Sequence, residues 1–218
     1  MKRWIWVLVI TVVLAGVAVL YLHRDVIAMP KVPKLPAIDQ TLQASFDEKR
    51  LANVKTTGTL VTYSIVIRGK PSSNLNEFRN LAAETLNDSR GWRRANVWFK
   101  EVSSGGNFKL TLSESQYMTG FSSVCSADWS CRVGSSVIIN DNRWTGATDA
   151  WNAAGGSLRD YRHMVINHEV GHFLGHADNV PVCAGAGELA PLMQQQSMNL
   201  RGCKFNPWPL EQELWTRL

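Results

Sequence analysis

His168 and His172 stand four residues apart with Glu169 between them, and that spacing is the strongest chemical signal in the chain. On an α-helix, residues i and i+4 project from one face, so both imidazoles could grip a single ion. Glu169 then lies beside that ion, placed to take a proton from water. A third ligand must follow. Gly175 is where the helix can stop, since glycine tolerates the left-handed conformation that turns a chain sharply. A turn there favours Asp178 over His176, which on a continued helix would stack above His172, too far along the axis to share a site with His168. Zn²⁺ accepts carboxylate oxygen as well as imidazole nitrogen. Glu188 or a C-terminal glutamate is the more distant alternative.

The elements that must position these groups can be read on either side. Ser157 and Asp160 form a capping pair, and Leu158, Tyr161, Val165, His168 and His172 fall on one stripe at helical spacing. Four of the five histidines (His163, His168, His172, His176) lie in this helix and its exit. His163 reads as a surface or supporting residue and not as a ligand. Upstream, Thr59 to Arg68 is a strand rich in β-branched residues. Asn74 opens a helix with Glu77 at the capping-box position and an apolar face of Leu75, Phe78, Leu81 and Ala82, ending near Asn87. Strands are expected at Asn96–Val102, Phe108–Leu112 and Ser135–Asn140. Asp141 to Gly156 reads as a connection, and a short helix from Glu211 to Arg217 closes the domain. Asp141, Asn142 and Asp149 match no calcium loop and read as turn formers. Trp144, Trp151 and Trp208 are expected in core and cleft-wall packing.

Composition narrows the class. The 218 residues suit one domain, and 45% hydrophobic content is enough for a core. The nine tryptophans argue against disorder. Of the net charge of +5, Lys2, Arg3, Arg24 and Asp25 carry +2, leaving +3 for the rest. That is too little for a nucleic-acid footprint, and no basic run with interleaved aromatics is present.

Trp4 to Leu22 is nineteen residues without a charge, which as a helix spans about 28 Å, close to the thickness of a bilayer's hydrocarbon core. We read residues 1–3 as a short cytoplasmic tail and 4–22 as a single-pass transmembrane anchor. If the segment is instead cleaved as a signal, the domain is secreted. Residues 23–54 form a linker in which Pro30, Pro33 and Pro36 recur every third residue, as in a polyproline II spacer. Residues 55–218 are the folded domain. Its four cysteines allow three pairings, of which proximity favours Cys125–Cys131 and Cys183–Cys203. Behind an export segment they read as disulfides, which puts the domain outside the membrane.

The helix motif resembles that of the metzincin metallopeptidases in an HExxHxxGxxD variant. From Gly91-Trp92 onward the chain is also similar to an uncharacterised family of bacterial secreted or anchored zincin-like domains. The residues carrying that likeness are Cys125, Cys131-Arg132, Asn142-Arg143-Trp144, Tyr161-Arg162, Asn167 to His172, Leu174-Gly175-His176, Pro191 to Gln195, Gly202-Cys203 and Asn206 to Pro209. The resemblance implies an α+β zincin-like fold, with a mixed twisted sheet, an active-site helix and a methionine turn in which Met193 packs under the metal. Where some metzincins place an oxyanion-stabilising tyrosine this chain has Gln195, which leaves that role unassigned. The resemblance also implies that the strand before the helix, here Ser135, Ser136, Val137, Ile138, Ile139 and Asn140, is a sheet edge that pairs with an extended substrate.

The expected protein is therefore a membrane-anchored, extracytoplasmic zinc metalloendopeptidase acting on peptide or protein substrates. His168, His172 and Asp178 (or His176) bind Zn²⁺, and Glu169 is the general base for a zinc-activated water. The alternative is a non-catalytic zincin-like module that binds envelope or protein partners and holds zinc structurally.

Overall fold

The computed structural model describes residues 58–178 and 182–218. The expected anchor and linker lie outside the described residues, among which no helix is long and apolar enough to cross a membrane.

A five-stranded sheet of order β2-β1-β3-β5-β4 forms the frame. It comprises β1 (Thr59–Arg68), β2 (Val97–Glu101), β3 (Phe108–Ser113), β4 (Cys131–Val133) and β5 (Ser136–Asn140). β1, β2, β3 and β5 run parallel, and β4 is antiparallel to β5. Helices α1 (Leu75–Asn87) and α4 (Leu158–Leu174) pack on each other; α1 also contacts β2, and α4 contacts β5 and β4. Phe78, Leu81 and Leu86 of α1 and Val165, Ile166 and Val170 of α4 meet Val61, Tyr63, Leu110, Leu112, Val137 and Ile139 in one core. The stretch read as a connection holds two short helices, α2 (Asp141–Gly146) and α3 (Asp149–Ala153).

Most boundaries expected from the sequence agree to within a residue, and the differences have local causes. Asn74 caps α1 alone, accepting the amides of Asn76 and Glu77. Glu77 instead pairs with Arg162 at 2.6 Å, tying α1 to α4. Asp141 is no turn former. It opens α2 and, buried, accepts hydrogen bonds from the Ser72 amide and hydroxyl and the Ser73 hydroxyl. Trp144 and Trp151 are wholly buried in the core, as expected, and Trp208 is half-buried against His163 and Arg90. The expected closing helix is only a 3-10 turn at Glu211–Glu213, because backbone groups beyond it are used elsewhere: Trp215 accepts from His176, and Arg217 donates to Leu174.

His163 corrects the expectation of a surface or site-supporting residue. It is buried where α4 meets α1, with Nδ1 2.8 Å from the Thr85 hydroxyl. That hydroxyl spends its proton on the Leu81 carbonyl, so Nδ1–H is the donor to it. Burial, reinforced by Arg159, holds the His163 imidazole below its usual pKa. A depressed folded-state pKa means that the unfolded chain takes up the proton first, so this contribution is intact above about pH 6.5 and is lost as pH falls toward the folded value. We expect urea midpoints to drop more steeply from pH 7 to pH 5 in the wild type than in His163→Gln. Equal slopes would show that this imidazole plays no such role.

Candidate metal centre

Helix α4 carries the chemistry because its ends are well defined and its body is buried on nearly every side. The Ser157 hydroxyl accepts the Asp160 amide at its start. At its end Gly175 adopts φ 108°, with Gly175 N–H bonded to His172 O and His176 N–H to Gly171 O. This is the double closure of a Schellman turn, and it swings the chain back across the helix. Asp178 is thereby returned to the two histidines, its Oδ1 lying 3.1 Å from Nε2 of both His168 and His172. One ligand atom from each of the three residues lies within 4.8 Å of the others, an arrangement that could hold a metal ion.

Both rings are fixed from behind. His168 Nδ1 is 2.9 Å from the Leu192 carbonyl and His172 Nδ1 is 3.0 Å from the His176 carbonyl. A carbonyl only accepts, so each Nδ1 carries its proton and each Nε2 is turned toward the shared point. Burial works to raise the Asp178 carboxyl, but hydrogen bonds from His168 and His172 outweigh it and hold it far below the ordinary carboxylate range. Burial likewise works to lower His172, and its bond to Asp178 prevails in the other direction. The donor set, two imidazoles with their outer nitrogens engaged and one carboxylate kept ionised, suits zinc chemistry.

Glu169 lines the same cavity of about 420 Å³. Its Oε2 is buried without a hydrogen-bond partner. Burial pushes its carboxyl up, against the opposing influence of His168 and His172. Met193 is fully buried against Gly171, where a β-carbon would collide with Met193 Sδ and press on Trp92. The glycine between the two histidines is thus what lets the methionine pack against the helix at this point.

The remaining candidates fall elsewhere. The His176 ring donates to the Trp215 carbonyl at 2.9 Å and stacks on Trp215, while only its backbone carbonyl touches the cluster. Glu188 is exposed and outside the cluster. Gln195 is exposed on the cavity wall. Both proximal cysteine pairings are present, Cys125–Cys131 and Cys183–Cys203. The edge-strand expectation is corrected: Ser136–Asn140 lies inside the sheet between β3 and β4, and the edge is β4. Ser135 precedes the strand and accepts the Lys109 amide.

Three contributors escaped the sequence reading. Trp129 and Arg132 line the cavity through the Cys125–Cys131 loop and β4, and the cysteine pair was the available signal. Glu213 is a buried carboxylate that ligates nothing and accepts the amides of Leu192, Met193 and Leu210. Its capping-box position after Leu210 is a local signal, but the bonds to Leu192 and Met193 span 21 and 20 residues, beyond the reach of any local pattern.

Fold and site define a mixed α/β domain whose long buried helix presents a His-Glu-His set, completed by an aspartate, to an open cavity. The chain belongs to the DUF3152 family of proteins of unknown function, whose pattern it matches over residues 52–211. No curated protein and no solved structure matches it.

Proposed function

We propose that the domain is an extracytoplasmic zinc metallopeptidase of the zincin type, carried on the N-terminal apolar segment. His168, His172 and Asp178 would hold the metal. The observation that supports catalysis over a purely structural site is Glu169: a carboxylate oxygen left buried and unpartnered beside three convergent ligand atoms. Structural zinc sites need no such group. The two disulfides agree with an oxidising compartment.

When bound, zinc supplies Lewis acidity that polarises the scissile carbonyl and sharpens water as a nucleophile. Glu169 takes the proton of the attacking water and passes it to the departing amine, first as base and then as acid. Its burial makes it a stronger base than an exposed carboxylate. β4, as the edge strand, offers a backbone ladder along which an extended peptide can lie. Among the described residues, Arg132 on that strand is the one arginine or lysine lining the cavity, so acidic residues near the scissile bond are preferred.

A peptide library tests this directly. Zinc-loaded protein should cleave a subset enriched in Asp or Glu near the cut, lose that activity to a chelator and regain it with added zinc. Failure of the zinc-loaded protein to cut any peptide would sink the peptidase reading.

A further inference from the structure

We propose that the segment Leu210–Arg217 is a strap that aims both metal-facing histidines, reaching each through a separate relay. Its purpose rests on the reading of His168 and His172 as ligands, but its geometry can be tested without a metal.

The first relay starts at Glu213. Its Oε1 accepts the Met193 amide at 2.8 Å, and its Oε2 accepts the Leu192 amide at 2.9 Å and the Leu210 amide at 2.8 Å. These bonds pin the turn at Pro191–Met193, and the Leu192 carbonyl in that turn takes the Nδ1–H of His168. A buried carboxylate is costly unless its lone pairs are engaged, and here three amides engage them. Glutamine cannot substitute, because its NH₂ would face a backbone N–H.

The second relay starts two residues on. The Trp215 carbonyl accepts Nε2–H of His176, and the His176 ring is sandwiched between Trp215 and Trp92 at centroid distances of 3.9 and 5.0 Å. With its ring fixed, the His176 carbonyl is presented to Nδ1–H of His172. Arg217 completes the strap. Its amide donates to Leu174 at 2.9 Å, and its side-chain methylenes lie against Gly175, where any β-carbon would meet them. One stretch of chain therefore reaches the outer nitrogen of both histidines, although it hydrogen-bonds to neither ring. Partners at this remove typically change metal affinity by about 10–100-fold.

The test uses the full chain, metal-free, labelled with ¹⁵N in histidine and examined at mildly acidic pH. In the wild type, the Nδ1–H protons of His168 and His172 should both be protected from solvent exchange. Glu213→Gln should expose the His168 proton and leave that of His172 protected. His176→Phe, which keeps the stacking but not the donor, should do the reverse. General loosening of the fold would expose both together, and that result, or protection unchanged in both variants, overturns the strap. If either variant does not fold, Glu213→Asp or His176→Leu carries the same arm. In zinc titrations each variant should weaken affinity about 10–100-fold. If the proton pattern is as expected but the wild type binds no zinc, the strap stands and the metallopeptidase reading falls.

Discussion

Glu169→Gln should bind zinc as the wild type does and hydrolyse peptides at least about a thousandfold more slowly. The substitution keeps side-chain size and removes only the capacity to take up a proton. Among the described residues lining the cavity, the other candidates are engaged: the His176 ring is bonded to the Trp215 carbonyl. Asp178 is engaged by both imidazoles, Tyr161 is held protonated by burial with a pKa raised to about 12, and Gln195 is neutral. The variant should also be at least as stable as the wild type in metal-free form, because a neutral amide is cheaper to bury unpartnered than a carboxylate. Metal content, peptide turnover and unfolding midpoint measured on one preparation check all three statements. Turnover retained with zinc bound would remove Glu169 from the mechanism.

Asp178→Ala should lower zinc affinity by more than about a hundredfold, beyond what loss of an outer partner causes. The reason is geometric, since one Asp178 oxygen approaches Nε2 of both histidines. Substituting the His176 side chain should cost less, because its ring is turned toward Trp215 and only its carbonyl serves the site. Competition against a chelator of known affinity ranks the two. If His176 variants lose more zinc than Asp178→Ala, the third ligand has been misassigned.

Much of the candidate site was legible because its signals are local. The i, i+4 histidines, the Ser157 cap and the Gly175 stop all act within one helix and its exit, so Asp178 could be named from helix geometry. The edge strand was misread for the complementary reason. β4 is only three residues long and begins at a disulfide cysteine, so it carries no run of alternating apolar residues, and β5 was left looking like the border. The expected helix at Glu211–Arg217 has helix-forming residues, but long-range partners outbid local propensity there: Glu213 serves Leu192 and Met193, and Trp215 serves His176. His163 likewise depends on Thr85, 78 residues away in sequence, a distance at which no periodicity reports. Signals within one element could be read, whereas a buried polar group completed by a remote segment could not.

The two disulfides have a further consequence for how the cavity receives a ligand. Its floor is α4, but its walls come from covalently closed or flanked segments: Val124 and Trp129 to Arg132 around Cys125–Cys131, and Gln195 to Met198 inside the Cys183–Cys203 loop. Segments tethered in this way have little conformational freedom left to lose when a chain is laid between them. The rim is therefore constrained on both sides, and in the proposed peptidase selection should act through shape as well as through the charge of Arg132, rejecting chains that do not fit instead of remoulding around them. If the proposed peptidase reading holds, under thiol-reducing conditions the helix with His168, His172 and Asp178 would persist while the rim slackened, so discrimination among substrates would decline before the chemistry did.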